Sequence, residues 1–132
     1  MGDPDLIALW EAHCRYEFES RDVDAAMATM VAEPYVNHIP TMTGGVGHDQ
    51  LKRFYKYHFI GVNPPDFRLT PINRTVGAGC IVDEFIVHFT HTSEMDWMLP
   101  GVPPAAIWIL PRACAAWPAT HWCCARCAAR TW

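Results

Sequence analysis

The sequence predicts one α+β domain in which three helices come first and long antiparallel strands follow. Two patterns indicate this order. Apolar residues recur at helical spacing up to about residue 59, and apolar residues occupy alternate positions from about residue 80. Pro- and Gly-containing turns separate these segments. A chain of 132 residues fits one domain and is long enough to bury a core.

The first two helices have recognisable starts. Asp3-Pro4 begins the first helix, because Asp can cap it and Pro suits the first helical position. Helical spacing then continues to about Ser20. Asp22 caps a second helix, which we expect to end before Pro34, since Pro disfavours the helical conformation in the residue that precedes it.

A strand, a turn and a third helix follow. Tyr35–Pro40 is a short apolar run that ends in Pro and predicts a strand. Residues 41–47 predict a Gly-rich turn. His48–Phe59 predicts the third helix, with its apolar face formed by Leu51, Phe54, Tyr55, His58 and Phe59.

The strands of the sheet come next. Residues 67–76 predict a strand, residues 77–79 a hairpin turn, and Cys80–Met95 a long second strand. Alternation places the odd positions of this strand on the better-buried face, so Asp83 and His91 become polar groups on an apolar face. They are eight positions apart, which is about 26 Å along an extended strand, so they cannot touch.

Charge and composition exclude several classes of partner. The net charge of −4 gives no basic surface for nucleic acid or an anionic membrane. No apolar run reaches the roughly 18 residues that cross a bilayer, and the acidic start is unlike a signal peptide, so we expect a cytoplasmic protein. Gly44-Gly45-Val46-Gly47 lacks the Lys-Ser/Thr of a phosphate-binding loop, and we expect no cofactor.

Residues 105–132 differ from the rest. All 14 acidic residues lie before residue 105, whereas this tail holds four of the six Cys and four of the six Trp. Ala105–Leu110 can form a strand, but the pattern dissolves after Pro111. The composition resembles a GC-rich coding sequence read out of frame. We therefore predict a domain at 1–104 and an atypical tail at 105–132 that is not a separate domain.

The tail also contains a partial metal motif. Cys123, Cys124 and Cys127, with His121, resemble half a zinc site. A complete site needs a second ligand pair at suitable spacing, and Cys114 stands alone. We therefore expect no metal.

Four short segments carry a family resemblance: Arg21-Asp22-Val23-Asp24, Tyr35–Pro40, Gly47-His48 and Leu51–Tyr55. On them the chain resembles, over about residues 4–104, the nuclear transport factor 2-like (NTF2-like) superfamily and its SnoaL-like and steroid-isomerase-like branches. The resemblance implies a cone-shaped fold, with three N-terminal helices packed on a curved antiparallel sheet and a pocket in the concave face. Such folds close with two further long strands, which the tail does not resemble, so we expect incomplete C-terminal strands.

The resemblance also implies roles for individual residues. His38 matches the place where the steroid isomerases carry a carboxylate base, whereas Cys14 stands where they carry a tyrosine donor. Imidazole chemistry near neutral pH independently suits His38 to proton transfer. We predict His38 and Asp83 as catalytic residues; the alternative for His38 is a hydrogen-bonded structural role.

Six other side chains are candidates for substrate contacts. Tyrosine hydroxyls can donate to a substrate oxygen, His91 shares the inward strand face, and Asp96-Trp97 can lie at the pocket mouth, where the Trp covers a ligand. The alternatives are core tyrosines and a loop anchor. The candidates are Tyr16, Tyr35, Tyr55, His91, Asp96 and Trp97.

These expectations leave two classes of function. The first is a small-molecule enzyme that performs cofactor-independent acid–base chemistry on a mostly apolar carbonyl compound, as a SnoaL-like cyclase, an isomerase, a dehydratase or a hydrolase. The second is a non-catalytic ligand-binding or dimerisation module, with a homodimer formed through the sheet. An inactive, truncated or frameshifted family member is a third reading. A shifted pKa at His38 favours the enzyme.

Overall fold

The computed structural model describes residues 3–104 and 107–118, with side chains from residue 6 to residue 104. Helix α1 spans Asp3–Phe18 and helix α2 spans Val23–Ala28. Asp22 caps α2 as predicted, because its carboxylate accepts a hydrogen bond from the backbone N–H of Ala25 at 3.0 Å. The turn before it is anchored by Arg21, whose guanidinium donates to the carbonyl oxygens of Asn63, at 2.8 Å, and Pro64.

Residues 35–46 form a β-hairpin. Strand β1, Tyr35–His38, pairs antiparallel with strand β2, Thr43–Val46. Half of the predicted Gly-rich turn is therefore a strand. Gly44 is the reason: its φ is +140°, and a Cβ atom at this position would lie 2.0 Å from the carbonyl oxygen of Val36. Only a residue without a side chain lets the two backbones approach so closely.

The third helix begins as predicted but changes geometry. Helix α3 spans His48–Phe54, and a π-helical segment, Tyr55–Phe59, continues it. The wider turn of a π-helix rotates the following residues relative to an α-helix. Tyr55 and Phe59 are buried, but His58 is exposed rather than on the apolar face.

A three-stranded antiparallel sheet follows, in the order β3-β4-β5. Strand β3 spans Arg68–Gly77, strand β4 spans Cys80–Thr90, and strand β5 spans Ile107–Pro118. The hairpin turn between β3 and β4 lies where the sequence predicted it. Strand β4 ends at Thr90, five residues before the predicted end. Register shifts between Pro71 and Asn73 and between Phe85 and Val87 interrupt the two ladders.

Strand β5 falls within the predicted tail. Its ladder with β4 extends from Ile107 to Pro118, past Pro111, where the sequence pattern suggested that regular structure ends. Residues 119–132 lie outside the described residues. The division into a domain at 1–104 and a tail stays a prediction.

The core lies between the helices and the inner face of the sheet. As alternation predicted, Ile81, Val87 and Phe89 of β4 point inward and are buried, whereas Val82 is exposed. Helix α1 packs on β3 and β4, and α3 packs on α2 and β2. Within the described part of the chain, no helix is both long and apolar enough to cross a bilayer.

Candidate functional site

A pocket of about 740 Å³ opens between α1 and strands β3 and β4. We call it the α1–sheet pocket. Its walls combine aromatic and aliphatic side chains with charged groups. The apolar lining residues are Trp10, Cys14, Phe18, Phe67, Leu69, Pro71, Ile72 and Phe85. The polar and charged ones are Glu11, Arg15, Glu19, Arg68, Asn73, Arg74, Asp83 and Glu84.

Asp83 is the most firmly held charged group in this pocket. Its Oδ2 accepts hydrogen bonds from the indole Nε1–H of Trp10 at 2.6 Å and from Nη2 of Arg74 at 2.9 Å. Its Oδ1 accepts from Nε of Arg74 at 2.7 Å. The side chain is 14% exposed. Three donors therefore hold the carboxylate in one orientation at the wall.

Arg74 comes from the strand next to Asp83. The two residues face each other across the β3–β4 ladder, so strand register alone brings their side chains together. Nη1 of Arg74 also donates to Oε1 of Glu11 on α1 at 2.9 Å. The two carboxylates raise the pKa of the guanidinium. A guanidinium has five N–H donors, and these contacts use three.

Cys14 lines the same pocket, and its thiol keeps its proton at neutral pH. Burial raises the pKa of its thiol, and the nearby carboxylates of Glu17 and Asp83 raise it further. Nucleophilic cysteines react as thiolates. Because this thiol keeps its proton, Cys14 is unsuited to covalent catalysis.

The structure places His38 elsewhere, among aromatic rings. Its ring centroid lies 4.8 Å from that of Trp97, 5.5 Å from Phe59 and 5.6 Å from Phe54. Its Nδ1 lies 3.4 Å from Oγ1 of Thr43. His38 is not among the residues that line the α1–sheet pocket, so His38 and Asp83 do not share that pocket.

Burial lowers the pKa of His38 to about 4. The ring is therefore neutral at pH 7. The shift is of the kind that we associated with an enzyme, but its cause is loss of water around the ring, which packing alone also produces. Proton transfer by His38 stays a prediction.

A buried polar cluster lies next to Trp10 and Cys14 on α1, and the sequence analysis missed it. Nε2 of His13 lies 2.7 Å from Oε1 of Glu17, and Nδ1 lies 2.6 Å from Oγ1 of Thr29. The hydroxyl of Tyr55 lies 3.5 Å from Nε2 of His13. His13 and Tyr55 are 0% exposed and Glu17 is 1% exposed. Burial, reinforced by the Glu17 carboxylate, raises the pKa of Tyr55.

The sequence held a signal for this cluster. Glu11, Arg15 and Glu19 were placed on the wet face of α1, which leaves His13 and Glu17 on the opposite face, four residues apart. A His and a Glu one turn apart on the inward face predict a buried hydrogen-bonded pair. Tyr55, which was expected near a substrate, contributes to this cluster instead.

None of the six predicted substrate contacts lines the α1–sheet pocket. The ring of His91 is buried and lies edge-on to Phe89, with centroids 6.2 Å apart. Asp96 pairs with His58 at 2.8 Å near the surface. Tyr16 packs against the core, and Tyr35 is half-buried in strand β1.

Trp97 occupies the loop after β4 as an anchor. It is 7% exposed, and its indole N–H donates to Oδ1 of Asn63 at 3.0 Å. Its carbonyl oxygen accepts a hydrogen bond from the hydroxyl of Thr41 at 2.6 Å. These bonds tie the loop to the β1–β2 hairpin, as the alternative reading of Trp97 proposed.

Among the described residues, no group of three or more His, Cys, Asp or Glu side chains can hold a metal ion. The partial zinc motif at Cys123, Cys124, Cys127 and His121 lies outside the residues described.

Comparison with solved structures shows that the chain has the NTF2-like fold. An NTF2-like protein of unknown function from Burkholderia pseudomallei superposes with a TM-score of 0.67 at 15% identity, over 89% of this chain and 86% of that one. A putative polyketide cyclase from Acidithiobacillus ferrooxidans gives 0.63 at 12% identity, over 87% and 80%. TerC, co-crystallised with polyporic acid, gives 0.64 at 15% identity, over 92% and 89%.

Ketosteroid isomerase-like and SnoaL-like proteins are among the other similar structures. The resemblance predicted from the sequence is thus confirmed at the level of fold. No family model matches the sequence, and no curated protein matches it. At these identities the likeness defines the fold and leaves the activity open.

Proposed function

We propose that this chain binds a small, mostly apolar carbonyl compound in the α1–sheet pocket and moves a proton on it without a cofactor. The observation that carries the proposal is a carboxylate, Asp83, held in one orientation by Trp10 and Arg74 in a pocket wall that also contains aromatic and aliphatic side chains. Likeness to a putative polyketide cyclase supports a carbonyl-containing ligand.

In the proposed step Asp83 accepts a proton from the carbon next to the carbonyl group. Negative charge then develops on the carbonyl oxygen and needs a positive partner. Arg74 has two N–H groups beyond those that bind Asp83 and Glu11, and they can donate to that oxygen. Base and electrophile thus come from one ion pair, which the β3–β4 register sets.

Aromatic walls strengthen this chemistry. Phe18, Phe67 and Phe85 line the pocket beside the ion pair and exclude part of the water. Charge interactions are stronger where water is excluded. Proton removal next to a carbonyl is a step shared by isomerisation and cyclisation, so the ligand decides between these outcomes.

The proposal is tested with α-tetralone, a bicyclic ketone, in D₂O. Proton NMR follows deuterium uptake at the carbon next to its carbonyl. We expect the protein to accelerate this exchange over buffer, and Asp83→Asn to lower the acceleration by about 100-fold, the range of a lost general base.

Asp24→Asn is the matched control, because Asp24 also pairs with a cation, Lys52 at 2.7 Å, but does so on the surface of α2. It should keep the full exchange rate. Binding of α-tetralone without exchange would instead establish the non-catalytic ligand-binding reading. If α-tetralone neither binds nor exchanges, the proposal is overturned for this class of ketone.

The predicted homodimer through the sheet stays a prediction.

A further inference from the structure

Trp10 lies between the two polar clusters of the molecule. Its indole N–H donates to Oδ2 of Asp83 in the α1–sheet pocket at 2.6 Å. The face of its ring system stacks on His13, with centroids 5.8 Å apart and planes at 18°. Trp10 is 2% exposed. One side chain therefore contacts both the pocket carboxylate and the buried cluster.

The buried cluster fixes the ring on which Trp10 stacks. His13 lies within hydrogen-bond distance of Glu17 through one ring nitrogen and of Thr29 through the other. Thr29 ends α2, and the nearby Tyr55 begins the π-helical segment. The orientation of the imidazole is thus set by three elements at once. A ring held in this way is a rigid surface for the indole.

Cys14 shows independently that the two clusters are close. Its thiol is subject to the charges of both Glu17, in the buried cluster, and Asp83, in the pocket. Cys14 and Trp10 follow each other by one helical turn on α1. Both carboxylates therefore lie near this stretch of α1.

We propose that Trp10 is a positioning residue that holds Asp83 at the wall of the α1–sheet pocket, and that His13, fixed by Glu17 and Thr29, holds the indole in place. This inference rests on the proposed role of Asp83. Arg74 alone cannot supply the same constraint, because its side chain is 34% exposed and is shared with Glu11. Trp10 is the buried donor of the three to Asp83.

The first test removes the N–H and keeps an aromatic ring. In Trp10→Phe the carboxylate loses its buried donor and is no longer fixed from the α1 side. We expect kcat for α-tetralone exchange to fall about tenfold with KM changed less than threefold.

Trp97→Phe is the matched control. It removes an equally buried indole N–H, the donor to Asn63, on a side chain that does not line the pocket. Its kcat and KM should equal those of the unchanged protein. An unchanged kcat in Trp10→Phe would overturn the inference, since a merely structural Trp10 affects stability and leaves the kcat of the folded protein unmoved.

A second measurement needs neither catalysis nor a folded Trp10 variant. The ¹⁵N–¹H signal of the Trp10 indole, assigned through its contact with His13, is recorded by NMR at pH 7. Asp83→Asn should displace it, and Glu17→Gln should displace it too, while both leave the Trp97 signal unmoved.

The two proposals fail separately. Absence of α-tetralone exchange in the unchanged protein, with the indole signal behaving as expected, overturns the chemistry and leaves the contact of Trp10 with Asp83 established. A Trp10 signal that ignores both substitutions overturns the positioning role, whatever the exchange rate.

Discussion

At the scale of the residue, His38 and Asp83 have opposite surroundings. His38 lies among Phe54, Phe59 and Trp97 and is 4% exposed. Asp83 lies in a pocket wall with three N–H donors. Aromatic rings around an imidazole favour its uncharged form. The chain therefore keeps His38 neutral in its core and holds Asp83 in place by hydrogen bonds beside its pocket.

Burial of His38 among aromatic rings makes the free energy of unfolding depend on pH. The imidazole takes up a proton at about pH 6.5 in the unfolded chain and at about pH 4 in the folded chain. Between these values the unfolded state binds more protons. The free energy of unfolding should therefore fall by about 1.4 kcal/mol for each pH unit as the pH drops from 6.5 towards 4.

Methionine cannot take up a proton, so the free energy of unfolding of His38→Met should lack this pH-dependent contribution. Urea unfolding at a series of pH values measures it as the difference between the variant and the unchanged protein. His48→Gln is the control, because His48 is exposed. A difference that does not change with pH would mean that His38 is protonated equally in both states.

Sequence reasoning found Asp83 and missed its partners. Alternation along β4 placed Asp83 inward, because period two is a local property of a strand. Arg74 lies on the neighbouring strand, and its register with Asp83 depends on a bulge between Pro71 and Asn73 that no sequence pattern marks. Trp10 reaches Asp83 across 73 positions of sequence. Contacts of this kind follow from tertiary packing alone.

At the scale of the element, the β1–β2 hairpin depends on one glycine. Gly44 has a φ of +140°, and an added Cβ would lie 2.0 Å from the carbonyl oxygen of Val36. Gly44→Ala should therefore destabilise the protein by roughly 3 kcal/mol, through backbone strain and the clash together. Thermal and urea unfolding measure the change.

Gly77→Ala is the control for Gly44. A Cβ at Gly77 meets nothing within 4 Å. Its effect should stay within about 0.5 kcal/mol. Equal effects of the two substitutions would show that the hairpin tolerates a side chain at Gly44 by moving apart.

The sequence predicted the ends of helices and strands where a residue type with a local conformational preference lies there. It missed the ends that depend on backbone geometry. The cap at Asp22 and the hairpin turn at 77–79 were predicted, because Asp and Gly have local conformational preferences. Strand β2 was missed, since glycines carry no alternating pattern. The π-helical segment was read as regular helix, so His58 was placed on the wrong face.

At the scale of the whole molecule, the sheet and α1 together enclose the pocket. Strand β4 is the central strand of the sheet, with β3 on one side and β5 on the other. It carries Asp83 and the core residues Ile81 and Val87. Strand β5 begins in Ala105–Leu110, where the sequence allowed a strand, and continues past Pro111, where the sequence pattern dissolves. Its pairing to β4 satisfies backbone groups and needs no particular side chains, which is why composition is a poor guide to it.

Helix α1 contributes to both polar clusters from one side. Trp10, Cys14 and Phe18 line the α1–sheet pocket, and His13 and Glu17, on the adjacent stripe of the same helix, are buried in the core. Helix α1 was predicted from its start and spacing. That it brings the two clusters next to each other follows only from the packed structure.

We propose that the ligand binds between α1 and strands β3 and β4. Mapping the binding site of α-tetralone by ¹H–¹⁵N NMR on the unchanged protein tests this most directly. Perturbed backbone signals should cluster at residues 10–19, 67–74 and 83–85, which border the pocket. Perturbations centred instead on His38, Phe54 and Trp97 would contradict this proposal and would show that the ligand binds among the aromatic rings around His38.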